Sequence, residues 1–330
     1  MTIKANQLIV ALDERWKKYR AELKTCQREF SEEAVHDLRV ATRRLLAVLE
    51  VLRSVAPHPR VKKARRLLKD QLDALDDLRD TQVMLVEVSE VATELPELKP
   101  FQEHLFKREK RLLREARKSV RGLKTAGLKE RLAKSRAALE ENFTGRQVTA
   151  SLLAAVDQGF ARAQQAYGEI DAADSASIHR FRVTFKKFRY MVEIAQPVLK
   201  GYPETQLKLM HDYQSRMGDV QDAEVFLRAL TEFASPPELQ AALKVFETKR
   251  ADLIGRFMEG RDELYAFWRA TPDATFAWEK DHEPVHRSTR HRRGGGDRRV
   301  RGRQPASADR QGPQEDGKDR ARPEEPGNGT

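Results

Sequence analysis

Between about Ala5 and Ala270 the chain places an apolar side chain at every third or fourth position, and the alternation of a half-buried strand is missing. The pattern predicts helix almost throughout. Breakers separate the periodic stretches: Pro57 and Pro59, Pro96 and Pro100, Gly145, Gly201 and Pro203, Pro236 and Pro237, and Pro272. Ser31 stands three residues ahead of Ala34, with Glu32 and Glu33 in the first turn. That is the composition of a helix start, where a hydroxyl accepts from an orphan N–H and carboxylates sit at the positive end. Ser177 marks a second start, at or just inside a helix that includes Ile178. Beyond about Trp278 the pattern stops. Residues 279–330 hold few large apolar side chains and are rich in Arg, Gly, Pro, Asp and Glu. Such a segment cannot bury enough surface to offset its ordering entropy, so a disordered basic tail is expected. Its RRGGGDRR and RGR pieces offer cations to a nucleic acid, but interspersed acids favour a solvated tail.

The pattern occurs twice. VHDLRVATRRLLAVLEVL, residues 35–52, lies over IHRFRVTFKKFRYMVEIA, residues 178–195. His36 meets His179, Arg39 meets Arg182, Arg43 and Arg44 meet Lys186 and Lys187, and Glu50 meets Glu193. Further on, LDDLRDTQV (75–83) meets MGDVQDAEV (217–225), placing Asp80 on Asp222 and Arg66 on Lys208. Lys110 and Arg111 match Lys249 and Arg250, and Arg117 matches Arg256. A period this long is a domain duplication and not a solenoid of short repeats. The expected organisation is two helical repeats, 3–121 and 147–270, each of about four helices, with a basic connecting helix at 122–146.

His36, Arg39 and Arg43 stand at i, i+3 and i+7 and share one stripe of a helix flanked by Arg44, while Leu38, Leu45, Leu49 and Leu52 lie opposite. The second copy puts His179, Arg182 and Lys186 on one stripe and Phe181, Phe188 and Val192 opposite. A solvated basic face usually carries acids at i+4, and these stripes lack them; like charges at that spacing repel by roughly a few tenths of a kcal/mol. The same strain at matching positions points to an anionic partner. The two histidines are read as donors to that anion.

Overall charge agrees: the net charge is +11 and the pI about 9.7, a surplus that favours polyanions. Hydrophobic residues make up 39% and charged residues 34%, and no apolar run approaches the roughly 20 residues of a membrane span. The N-terminus is charged too early for a secretory signal, and a single cysteine, Cys26, forms no intrachain disulfide, so a cytoplasmic protein is expected. His36-Asp37 is reminiscent of a metal phosphohydrolase pair, but the second copy has His179-Arg180, a cation where a metal-binding carboxylate belongs. There is no phosphate-binding glycine loop and no zinc spacing. No catalytic residue, metal or cofactor is therefore expected. Asp80 and Asp222 are expected to pack helices or pair with arginines.

VHDLRVATRRL and IHRFRVTFKKFRY, each followed by an Asp-containing LRDTQV or VQDAEV, resemble the CHAD family, named for a conserved histidine in an α-helical domain. The resemblance spans residues 3–270. It implies an all-α fold of two pseudo-twofold-related four-helix units around a central basic groove, and binding of long-chain inorganic polyphosphate, in some members at polyphosphate granules. The expected polyphosphate-binding residues, drawn from the basic stripes and the matched positions of the two copies, are His36, Arg39, Arg43, Arg44, Arg66, Lys110, Arg111, Arg117, His179, Arg182, Lys186, Lys187, Arg189, Lys208, Lys249, Arg250 and Arg256. One departure stands out. The family motif often continues with another arginine, present here as Arg189 but replaced in the first copy by Leu46. The rival reading, a nucleic-acid-binding helical protein, shares the charge but wants aromatics interleaved with the cations for base stacking, whereas Phe181 and Phe188 fall on the apolar face.

Overall fold

The computed structural model describes residues 7–233 and 239–280, and within them the chain forms ten α-helices and no strand. The helices are α1 (Gln7–Arg28), α2 (Glu32–Val55), α3 (Pro59–Val91), α4 (Lys99–Gly122), α5 (Ala126–Asn142), α6 (Gly145–Gly168), α7 (Ser175–Ala195), α8 (Gln206–Phe233), α9 (Gln240–Glu259) and α10 (Ala277–Lys280).

Local chemistry starts and stops them. The Ser31 hydroxyl accepts from the Ala34 N–H at 3.1 Å and begins α2. His58 Nδ1 accepts from the Arg60 N–H at 3.1 Å, and Pro59 opens α3, where a missing N–H costs nothing. Thr144 and Gln147 form a reciprocal capping box on α6. α7 begins two residues before Ser177, capped by Asp174, whose carboxylate accepts from the Ala176 N–H at 3.1 Å. Ser177 sits buried in that first turn and donates to the Asp174 carbonyl at 2.6 Å. Gly201, at φ +62°, supplies the left-handed residue of the turn between α7 and α8.

Packing follows the apolar faces. α1 lies along α2 and α6 along α7; α3 pairs with α4 and α8 with α9; α2 packs on α3 and α7 on α8. The connecting helix α5 packs on α3, α2 touches α6 and α7, and α3 touches α8. Leu38, Leu45, Leu49 and Leu52 of α2 and Phe181, Phe188 and Val192 of α7 are all buried, as their spacing predicts. The larger core runs through α1, α2, α6, α7 and α8 and includes a cluster of Phe160, Phe181, Phe185, Phe188, Tyr213 and Phe267. Each such ring contributes roughly 1.5–3 kcal/mol by leaving water. A smaller core joins the ends of α3 and α8 to α4 and α9, where Phe226 stacks on Phe246 with centroids 4.0 Å apart. Gly159 of α6 makes the approach to α7 possible, since a Cβ there would lie 3.0 Å from Met191 Sδ.

Two expectations are corrected at the C-terminal side. Helix does not run to Ala270: α9 ends at Glu259 and residues Arg261–Ala266 form tighter 3-10 turns. The expected tail also begins too early, because Glu279 and Lys280 belong to α10, beside a buried Trp278 that stacks on Phe276 at 4.5 Å. The remainder of the expected tail, and Pro236 and Pro237, lie outside the described residues.

Candidate anion-binding site

With the leucines of α2 and phenylalanines of α7 turned into the core, Arg43 from the basic stripe of α2 and His179 and Lys186 from that of α7 border a cleft completed by α3. Its volume is about 800 Å³. α2 contributes Arg43, α3 contributes Lys62, Arg65, Arg66 and Lys69, and α7 contributes His179, Lys186 and Lys187. The acids lining it are Glu50, Asp73 and Asp76. Glu50 is taken by Arg53 and Arg65, and Asp76 by Arg39 at 2.7 Å. Among the described residues, Arg43, Lys62, Arg66, Lys69, Lys186 and Lys187 have no carboxylate within 4.0 Å.

Electrostatics register the crowding. Burial, followed by the guanidinium groups of Arg43, Arg182 and Arg39, pushes the Lys186 ammonium down to about 7, with Asp76 pulling the other way. Burial and then Arg182 and Lys186 hold the His179 imidazole below its usual range, against a hydrogen bond with Gln221. His179 Nδ1 and Arg182 Nε are buried without a hydrogen-bond partner. Burying such polar atoms without a partner costs free energy.

The structure divides the predicted residues. Arg43, Arg66, His179, Lys186 and Lys187 line the cleft. Arg39 is buried and bound to two lining residues, with Asp76 at 2.7 Å and the Leu72 carbonyl at 3.4 Å, and Arg182 lies beside Lys186. His36 is exposed on α2 away from this lining. Arg44 lies 3.5 Å from Glu193, which Arg15 already holds at 2.7 Å. Arg189 is buried, donates from Nε to Gln214 at 2.9 Å and covers the Tyr190 ring at 4.6 Å. Lys208 pairs with Asp212 at 2.6 Å, Lys249 with Glu87 at 2.6 Å, Arg250 with Glu224 at 3.2 Å and Arg111 with Glu115 at 3.9 Å. Arg117 lies over the Phe30 ring at 5.8 Å, and Lys110 and Arg256 are exposed on α4 and α9. None of these lines the cleft. Asp80 and Asp222 have no ion pair within 4.0 Å among the described residues. Desolvation holds both carboxyls above the usual range; Asp76 adds to it at Asp80, and Asp219 and Asp80 add to it at Asp222.

Lys62, Arg65 and Lys69 were not singled out from the sequence, although with Arg66 they stand at i, i+3, i+4 and i+7 and form a third basic stripe. Helical spacing was the signal; alignment of the repeats selected Arg66 alone. Among the described residues no group of three or more His, Cys, Asp or Glu side chains converges to hold a metal. No helix among them is long and apolar enough to cross a membrane.

Residues 10–231 match the CHAD domain family. The crystal structure of the CHAD domain from the plant Ricinus communis is similar to this chain, with 18% sequence identity, a TM-score of 0.56, and coverage of 79% of this chain and 89% of that one. At that identity the likeness is one of fold. No curated protein matches the chain.

Proposed function

The chain belongs to the CHAD domain family, and from that premise we propose that it binds inorganic polyphosphate, without catalysis, in the cleft between α2, α3 and α7. One observation carries the reading: three helices converge with six cations that no carboxylate neutralises among the described residues, namely Arg43, Lys62, Arg66, Lys69, Lys186 and Lys187. A linear polyphosphate presents a charge on every phosphate, and its condensed counterions are released when such cations replace them. The arginine forks give two bonds each to phosphate oxygens, and the lysines act as mobile point charges. In this reading the two repeats form pseudo-twofold-related four-helix units around one basic groove, of which the cleft is a part, so long chains bind better than short ones. The protein then accumulates wherever polyphosphate does, granules included. Nucleic acid is the weaker alternative, because Phe181 and Phe188 are fully buried and the cleft lining has Tyr190 but no series of aromatic rings on which successive bases could stack.

Calorimetric titration with long-chain polyphosphate at two salt concentrations tests the reading. Affinity is expected to fall steeply with salt. Arg43→Ala/Arg66→Ala is expected to reduce the slope of log K against log salt by about 1.5, at roughly 0.7–0.9 per lost contact. A folded wild-type protein that binds no polyphosphate at low salt refutes it.

A further inference from the structure

The cleft contains features that a bare phosphate chain does not use. Between its cationic walls lies an apolar floor of Leu46 from α2 and Val183 and Tyr190 from α7. The Arg189 guanidinium covers the Tyr190 ring at 4.6 Å, and Met191 is buried beneath the floor with its sulfur towards Gly159 of α6. Leu46 occupies the position that matches Arg189 in the other repeat, so the first copy presents a hydrocarbon where the second has a guanidinium. Asp73 adds an exposed carboxylate that has no ion-pair partner among the described residues. It would repel phosphate oxygens but accepts hydrogen bonds from hydroxyl or amino groups. A volume of about 800 Å³ with an apolar, aromatic floor and a few polar groups is the form of a small-molecule pocket.

We infer that the cleft accepts a nucleoside polyphosphate, its phosphates held by Arg43, Lys186 and Lys187, its base lying on Tyr190 and Leu46, and its ribose hydroxyls donating to Asp73. The inference rests on the anion site proposed above and names a second ligand class for it. An aromatic ring under a base favours binding with little regard to which base is present. The phosphates supply the salt-dependent part, as they do for polyphosphate.

The decisive comparison is between ATP and inorganic tripolyphosphate, titrated into the full chain with a chelator present. Both carry three phosphates, and tripolyphosphate carries at least as much charge, so electrostatics alone would favour tripolyphosphate or make the two equal. The inference expects ATP to bind about tenfold more tightly, the effect of one stacked base. Tyr190→Ala is expected to bring the ratio of the two affinities to about one. Leu46→Arg, which fills the floor with a cation, is expected to reverse the preference towards tripolyphosphate, and circular dichroism checks that both variants fold. Tripolyphosphate binding as tightly as ATP to wild type, or an ATP preference untouched by both variants, overturns the inference while leaving polyphosphate binding in place. If long-chain polyphosphate also fails to bind, the proposed function itself falls.

Discussion

A polyphosphate that enters the cleft at pH 8 should bring a proton with it, and Lys186 is where that proton goes. In the free protein burial and the Arg43, Arg182 and Arg39 guanidinium groups hold this lysine at about 7, against 10.5 in an unfolded chain. Asp76 of α3 is the acid that partly opposes them. The displacement amounts to a few kcal/mol, at about 1.4 kcal/mol per pH unit. At pH 8 the amine is therefore mostly neutral. Bound phosphate oxygens reverse its surroundings and return it towards its ordinary value, so binding takes up about 0.8 proton per site. Affinity then weakens by up to about tenfold per pH unit above 7. His179, held below its usual range chiefly by burial, is neutral at pH 8 in the free protein. Titrations at pH 8 in Tris and in HEPES, whose ionisation enthalpies differ, read the uptake directly from the difference in apparent enthalpy. Lys186→Met keeps the stem and removes the charge, and should abolish the difference. The free protein gives an independent check. Between about 7 and 10.5 the unfolded chain holds a proton that the folded chain lacks, so Lys186 makes stability rise with pH across this window, and its full penalty applies below 7. Lys186→Met should accordingly stabilise the free protein by several kcal/mol more at pH 6 than at pH 10, where little of the penalty is left. A binding enthalpy that is independent of buffer, or uptake that persists in Lys186→Met, would refute the reasoning.

Other consequences test the scaffold that holds the cleft. Asp157 of α6 accepts from Trp268 Nε1 at 2.8 Å and from Arg269 at 2.9 and 2.6 Å, with both charged side chains largely buried. Asp157→Ala leaves these donors unpaired and is expected to cost roughly 3–5 kcal/mol in urea denaturation; a loss below about 1 kcal/mol would mean the cluster is not structural. Ser31→Ala removes the cap of α2 and should lower stability by about 1 kcal/mol in the same measurement, with Ser31→Asp restoring it.

What could be read from the sequence were the properties that a helix has by itself. Period 3.6 placed Leu38, Leu45 and Leu49 on one face and Arg39 and Arg43 on another, whatever their neighbours turned out to be. The start of α2 at Ser31 was equally readable, because a cap is made by residues three apart. The repeat pointed to α2 and α7 as the helices to examine, and Arg43, Lys186 and Lys187 do face one cleft. Which cations remain without a partner was settled only by tertiary packing. Lys249 meets Glu87 from 162 residues away, and Arg15 meets Glu193 from 178 away. Arg39 is tied to Asp76 of the next helix. Conversely, Lys62 and Lys69 belong with Arg43 because α3 lies against α2, and Lys186 is held down to about 7 by burial first and then by arginines from both α2 and α7. A stripe of charge is a property of one helix, set by backbone geometry. Coulomb interactions act across space without regard to chain separation, so the sign, partners and proton affinity of each group in that stripe are decided by the helices that close around it.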